Sequence, residues 1–287
     1  MNKFKCSGDD NEHIPEEILH LGISFPEAYS EKRAMTRLSK ELKIYKKDNI
    51  CFLPFCMTVL PEALGAKVNL GDHKYLPRVK EYAINSLNEI EDLKTINFGL
   101  GRVKEVLDSI EELKAENPYV ALKVEGPFTV ITSIMEPRIF YKLLRKDENK
   151  ALEIIEKVEQ GILEYIKEGV KRGANIISYG DSSGVESIVG KNIYLNYSGK
   201  STCNIIRNFQ QVIDNSLIHV CGLTSSSLYN NDFIDFNPIK YDNNLTYGEG
   251  IISILNERNS IKALGGRCIK NTNKLLDEPL AYEIILK

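Results

Sequence analysis

The chain has 287 residues, of which 43% are hydrophobic and 27% are charged, a composition typical of a globular protein. Its formal net charge is −3, so the charge balance gives no support to a nucleic-acid or membrane-surface partner. No apolar stretch reaches the ~20 residues that cross a bilayer, and no apolar segment follows the first lysines as a secretory signal requires. The composition therefore favours a cytoplasmic protein that binds neither nucleic acid nor membrane.

Segments with helical spacing alternate with short apolar runs along most of the chain. Helical spacing is found at 30–45, 103–113 and 149–172, and 76–93 has the pattern of a helical or mixed connector. The strand-like runs are 50–55, 119–124, 175–181, 217–221, 233–236 and 261–264. Because strands and helices alternate without a repeat or linker, the sequence predicts one α/β domain with a parallel sheet, as a barrel or a doubly wound sheet.

Polar and sulfur-bearing side chains stand at the ends of these predicted strands. In either architecture, the carboxyl ends of parallel strands share one edge, where catalytic groups collect. The residues concerned are Cys56, Glu125, Asp181, His219, Cys221 and Cys268.

A histidine and two cysteines of this set suit a zinc ion. In a strand, His219 and Cys221 point to the same face, and Cys268 ends a further strand after a pair of glycines. One imidazole and two thiolates leave a zinc position open, and such a site suits the activation of an incoming thiol. The alternative is a buried thiol beside a hydrogen-bonded histidine.

Two carboxylates complete the predicted site. Glu125 and Asp181 end separate strands, where each is expected to bind substrate, support a zinc ligand or carry a proton. For Asp181 the alternative is a capping or turn role, because two serines and a glycine follow it.

Five segments resemble the uroporphyrinogen decarboxylase superfamily, and more closely its corrinoid-dependent methyltransferase branch, which includes methylcobamide:coenzyme M methyltransferases. They are 22–28, 53–66, 125–129, 219–222 and 265–268, together with the strand that ends at Asp181. The resemblance implies a single (β/α)8 TIM barrel over 21–287, preceded by an N-terminal extension over 1–20.

The resemblance also implies an activity and the residues for it. A zinc ion held by His219, Cys221 and Cys268 would activate a small-molecule thiol, which takes a methyl group from a methylated corrinoid carried by a partner protein. Asp181 and Glu125 would be catalytic. Cys56, Met57 and Tyr179 would contact the substrate.

Three alternatives stay open at this point. A porphyrinogen decarboxylase is disfavoured because the family's arginine-rich loop has no match and Cys56 aligns with its key aspartate. A non-catalytic barrel that binds a corrinoid predicts dispensable cysteines, and a pterin acceptor predicts no thiolate set. The short segment between Cys221 and Cys268 and Asn237 in place of a strand-end aspartate depart from the family pattern.

Overall fold

The computed structural model describes residues 14–91, 93–212, 215–258 and 260–287. Most of the predicted N-terminal extension over 1–20 therefore lies outside the described residues, and its boundary with the barrel domain stays a prediction. Within the described ranges, every helix is too short or too polar to span a membrane.

Nine strands of the described ranges form one large sheet and one small hairpin. In chain order they are β1 Cys51–Leu53, β2 Lys67–Asn69, β3 Arg78–Glu81, β4 Val120–Glu125, β5 Ile176–Gly180, β6 Leu217–Val220, β7 Ile234–Lys240, β8 Ala263–Gly265 and β9 Leu280–Leu286. The large sheet has the order β1-β4-β5-β6-β8-β9-β7, and β2 pairs with β3. The first five strands of that order are parallel, whereas β9 is antiparallel to both β8 and β7.

Twelve α-helices connect and cover these strands. They are α1 Glu16–Leu19, α2 Lys32–Lys46, α3 Val59–Ala63, α4 Gly101–Glu116, α5 Pro127–Ile134, α6 Pro137–Lys146, α7 Glu148–Lys171, α8 Glu186–Val189, α9 Lys191–Ile193, α10 Gly199–Val212, α11 Gly222–Asn230 and α12 Tyr247–Glu257, all within the described ranges. A π-helical turn, Tyr194–Ser198, precedes α10.

The two faces of the parallel strands pack against different helices, which explains their nearly continuous apolar sequences. On the outer face, residues such as Ile177 and Val220 join a cluster with the buried sides of α4, α7 and α10. On the inner face, residues such as Ile176 and Leu217 join a second cluster with α12. Each fully buried aliphatic side chain stabilises the fold by about 1.5–3 kcal/mol, so both faces hold the sheet in place.

The start of α12 is fixed by its sequence. The hydroxyl of Thr246 accepts a hydrogen bond from the backbone N–H of Glu249, whose carboxylate accepts one from the backbone N–H of Thr246. This capping box satisfies two amide groups that a helix N-terminus otherwise leaves unpaired. It sets Tyr247, the first residue of α12, against the inner face of the sheet.

The predicted α/β class is confirmed, as are the six predicted strands and three predicted helices. The connector at 76–93 is mixed, because it contributes β3, which pairs with β2 through Val68 and Val79, and a short 3-10 helix, Leu87–Glu89. Strand β9 was not predicted, and it changes the end of the sheet because it separates β8 from β7. In the same sheet β6 pairs directly with β8, and β7 forms the edge instead of lying between them.

Candidate functional site

The inner face of the sheet changes from apolar to polar toward the carboxyl ends of its strands. Residues that pair laterally on neighbouring parallel strands point to the same face. The pairing of β4, β5 and β6 therefore defines three rows on this face. The lower row is Ala121, Ile176 and Leu217, the middle row is Lys123, Ser178 and His219, and the upper row is Glu125, Gly180 and, directly after β6, Cys221.

Gly180 leaves a gap in the upper row between Glu125 and Cys221. A Cβ atom placed on Gly180 would lie 3.2 Å from the Cβ atom of Cys221, closer than most side chains approach. Since neighbouring strands are about 4.8 Å apart, the backbones of Glu125 and Cys221 are separated by roughly 10 Å across this gap. In this row no side chain stands between the carboxyl group of Glu125 and the thiol of Cys221.

His219 is fully buried in the middle row. Its Nε2 atom is 2.8 Å from the hydroxyl oxygen of Tyr247, and its Nδ1 atom has no hydrogen-bond partner in the described part of the chain. Burial lowers the pKa of His219 to about 4. The imidazole is therefore neutral at pH 7, which is the form that binds metal ions.

The two predicted cysteine ligands follow neighbouring strands. Cys221 is partly exposed at the start of α11, and its N–H donates to the carbonyl of Tyr179 over 2.7 Å. The hydroxyl of Ser225 donates to the carbonyl of Cys221 and accepts from the N–H of Gly266, at 3.0 and 2.8 Å, and so joins the start of α11 to the end of β8. Cys268, 9% exposed, comes two residues later.

His219, Cys221 and Cys268 are suitable zinc ligands by residue type, but their side chains do not come together as a ligand group in the described ranges. A neutral imidazole with a free ring nitrogen and two thiols near the same strand ends are suitable ligands. Cys268 also lies within electrostatic range of Tyr247, the partner of His219. However, no three histidine, cysteine, aspartate or glutamate side chains of the described ranges come together as a metal-ligand group. The zinc set therefore stays a prediction.

A cavity of about 880 Å³ opens at the carboxyl ends of β1, β4 and β5. Three predicted site residues line it: Cys56, Met57 and Glu125. Met57 is 55% exposed at the mouth, whereas Cys56 and Glu125 are buried. Lys123, from the middle row of the inner face, lines the same cavity and was not predicted.

Glu125 has the properties of a proton carrier. Burial raises its pKa to about 7, although its own backbone N–H and the charges of Lys123 and Arg102 oppose the rise. A carboxyl group with this pKa exchanges its proton readily near neutral pH, which is what general acid–base catalysis requires. The structure thus gives Glu125 both access to the cavity and a suitable pKa.

Cys56 belongs to a buried polar group centred on Arg102. The guanidinium of Arg102 donates to the thiol sulfur of Cys56 at 3.5 Å, the hydroxyl of Thr58 at 2.8 Å and the carboxylate of Glu62 at 2.5 Å. The thiol of Cys56 is also 3.3 Å from that hydroxyl. Arg102 therefore fixes the wall of the cavity around Cys56. In the sequence, the role of Arg102 is indicated only by the position of a cation next to the apolar stripe of a helix.

Asp181 caps a helix. Its carboxylate accepts hydrogen bonds from the N–H groups of Phe128 and Thr129, at 3.1 and 2.7 Å, and from the Thr129 hydroxyl at 2.8 Å. These donors belong to the first turn of α5, where an acceptor satisfies unpaired N–H groups. Burial raises the pKa of Asp181 despite the hydrogen bonds. The geometry matches the capping alternative for this residue.

Tyr179 lies away from the cavity. Its side chain is buried in the outer-face cluster, among residues that pack on the covering helices. A Cβ atom on Gly126 would lie 2.5 Å from its hydroxyl oxygen and 2.4 Å from the Cβ of Asp181, so the glycine permits this close packing. The prediction that Tyr179 contacts substrate has no support in this arrangement.

The comparisons with known proteins identify the family. The family model "Uroporphyrinogen decarboxylase (URO-D)" matches residues 15–253. The chain belongs to the uroporphyrinogen decarboxylase family. His219 and Cys221 lie within the matched residues, whereas Cys268 lies beyond them.

Several relatives are named methylcobamide:CoM methyltransferases. One from Methanosarcina acetivorans is 24% identical over 231 residues, which cover 79% of this chain and 68% of the relative. One from Methanosarcina mazei is 22% identical over the same shares of both chains. One from Methanosarcina barkeri is 21% identical over 221 residues, which cover 75% of this chain and 63% of the relative.

A solved structure shows the same fold. A methyltransferase from Methanosarcina mazei superposes with a TM-score of 0.61 at 21% identity, over 71% of this chain and 60% of the other. With the family match, this confirms the resemblance and the predicted TIM-barrel class. The chain spans about three fifths of that structure, and its last strands reverse direction.

Proposed function

We propose that this protein is a methyltransferase that moves a methyl group from a methylated corrinoid to a thiol. One observation carries the proposal: a neutral imidazole and a thiol lie two residues apart on the inner face, and a carboxyl group with a pKa of about 7 stands across the gap at Gly180. The names of the relatives support the same reaction.

The reaction needs a base for the acceptor thiol. The thiol proton passes to the ionised carboxylate of Glu125, and the resulting thiolate attacks the methyl carbon. The new sulfur–carbon bond forms as the cobalt–carbon bond breaks, and its electron pair stays on cobalt, which leaves as cobalt(I). The cavity would hold the two reactants in line for this displacement.

Zinc is part of the proposal. His219, Cys221 and Cys268 would hold it, and when bound it would lower the pKa of the acceptor thiol. His219 would bring a neutral nitrogen, and Tyr247 would fix the ring through its hydrogen bond at Nε2. The corrinoid would arrive on a partner protein at the cavity mouth, where Met57 and Tyr82 are exposed.

Decarboxylation is the second candidate, because the cavity contains cations that would hold carboxylates. Arg78, Lys80 and Lys123 line it together with Glu125. These side chains come from β3 and β4, and they would serve as the cationic clamp that a decarboxylase needs. A porphyrinogen decarboxylase using this cavity would work without a metal ion.

One assay separates the two candidates. The protein is incubated without oxygen with methylcobalamin and a set of small thiols, and cobalt(I) is followed by absorbance while the thioether is identified by mass spectrometry. We expect both products in equal amounts from the wild type. Release of carbon dioxide from uroporphyrinogen, with no methyl transfer, would instead establish the decarboxylase.

Matched cysteine variants connect the activity to the inner face. Cys221→Ser removes the rim thiol, whereas Cys203→Ala removes a buried thiol of α10 in the outer-face cluster. We expect the first variant to lose methyl transfer and the second to retain it. Equal loss in both would mean that the inner-face thiol has no special role.

A further inference from the structure

A second cavity, of about 830 Å³, adjoins the cavity of about 880 Å³ that Glu125 lines. Phe55, Leu76 and Lys123 line both, so the two share a wall. The second cavity lies between α1, the end of α2 and the segment after β8. We call it the lysine-lined cavity, after Lys46, Lys47, Lys123, Lys270 and Lys274.

The charge around this cavity is mainly positive. The other titratable side chains that line the cavity are two acidic groups, Glu16 and Glu17, and two groups that are uncharged in their ordinary neutral form, His20 and Tyr45; all four are exposed. Burial lowers the pKa of Lys46; the charge of Asp48 opposes this and that of Lys270 adds to it. The ammonium groups of Lys46 and Lys270 repel one another, and a bound anion would relieve that repulsion.

Two hydrogen bonds join the chain segments that carry the lysines, although these segments are far apart in the sequence. The hydroxyl of Thr272 donates to Asp48 over 2.5 Å, and the side-chain amide of Asn273 donates to the carbonyl of Lys46 over 3.0 Å. These bonds attach the segment that carries Lys270 and Lys274 to the end of α2. The convergence of charge is therefore built into the fold.

We propose that the lysine-lined cavity is a binding site for a small molecule with several negative charges, carried on phosphate or carboxylate groups. Lysine ammonium groups bind such anions as point charges. The apolar walls formed by Leu42 and Phe55 exclude part of the solvent and strengthen the attraction. This site differs from the proposed methyl-transfer site, and its test does not depend on methyl transfer.

Calorimetric titration with pyrophosphate and, separately, with citrate tests the proposal. We expect saturable binding of one molecule per chain, weaker at high salt because the site is partly open to solvent. Tighter binding of pyrophosphate would identify phosphate as the group recognised, and tighter binding of citrate would identify carboxylate. Absence of saturable binding of both anions would overturn the proposal.

Single lysine variants locate the site. Lys46→Gln and Lys274→Gln each remove a cation that lines the cavity, and each is expected to weaken anion binding about tenfold. Lys142→Gln, on the exposed side of α6, is the matched control and is expected to leave the affinity unchanged.

A stability measurement distinguishes a binding role from a structural one. Because burial disfavours the charged form of Lys46, Lys46→Gln without anion is expected to melt at the same temperature as the wild type or higher. The wild type is expected to gain more in melting temperature from the anion than either variant. Equal affinity for the anion in Lys46→Gln, Lys274→Gln and Lys142→Gln would contradict the proposal.

Discussion

The two ends of the large sheet are built differently. Strands β1, β4, β5 and β6 are parallel, and each is followed by a helix. Beyond β8 the chain turns back into antiparallel β9, which pairs with β7. The predicted site spans both ends, because Glu125, His219 and Cys221 belong to the regular end and Cys268 follows β8. The regular end fixes its side chains through register, whereas the position of Cys268 depends on a loop.

The largest effect is expected from Cys221→Ser at the regular end. A serine hydroxyl is a much poorer zinc ligand than a thiolate, so methyl transfer should fall below detection. The residue is partly exposed, and the melting temperature should change little. Thioether production by the serine variant at the wild-type rate would remove Cys221 from the mechanism.

Glu125→Gln is expected to lower kcat about 100-fold, because it removes the proposed base. With a pKa of about 7 for Glu125, the wild-type rate should rise as pH increases through 7 and the carboxylate forms. The variant should lose this limb of the pH profile. A variant that keeps both the rate and the limb would show that another group takes the proton.

The same substitution has an opposite effect on stability. Because folding raises the pKa of Glu125 from 4.5 to about 7, the folded state holds this proton more tightly than the unfolded state. The wild type should therefore lose stability as pH rises from about 4.5 through 7, by about 3 kcal/mol in total. Denaturant unfolding of Glu125→Gln should lack this loss, and parallel curves for both proteins would contradict it.

A smaller effect is expected when the gap in the upper row is filled. Gly180→Ala places a methyl group 3.2 Å from the Cβ of Cys221, so the thiol must shift. Since a misplacement of about 1 Å can lower a rate about 100-fold, this smaller shift should lower methyl transfer about tenfold. Gly180→Val should have a larger effect. Unchanged kcat/KM in both variants would mean that the gap is not used.

The smallest effect on activity is expected from Asp181→Asn. Asparagine keeps one oxygen to cap α5, so the folded variant should remain active and lose about 1 kcal/mol of stability. Asp181→Ala leaves three donors without their acceptor and should lose about 3 kcal/mol. A loss of activity in Asp181→Asn with unchanged stability would instead favour the catalytic role.

The regular end was also the more predictable one. Apolar runs identified β1, β4, β5 and β6, and parallel pairing placed Glu125, His219 and Cys221 on one rim. Lys123, a cation in an otherwise apolar strand, is a further sequence signal of the polar inner face that the prediction did not use. The contacts of Arg102 with Cys56 and of Tyr247 with His219 join residues far apart in sequence, and local spacing carries no information about such pairs.

The end of the sheet formed by β8, β9 and β7 could not be predicted, because it also depends on contacts between residues far apart in the sequence. Strand β9 depends on pairing with β7 and β8, and its own pattern of apolar residues does not alternate cleanly. The hairpin of β2 and β3 is short and mostly exposed, so the hydrophobic pattern that reveals buried strands is absent.

The most direct test of a site shared by both ends is the zinc content of the purified protein, measured by mass spectrometry for the wild type, Cys268→Ala and the control Cys203→Ala. The account predicts about one zinc ion per chain in the wild type and the control, and a clear loss in Cys268→Ala. A wild type that takes up no zinc after reconstitution under reducing conditions, or a Cys268→Ala variant that retains all of it, would contradict the account.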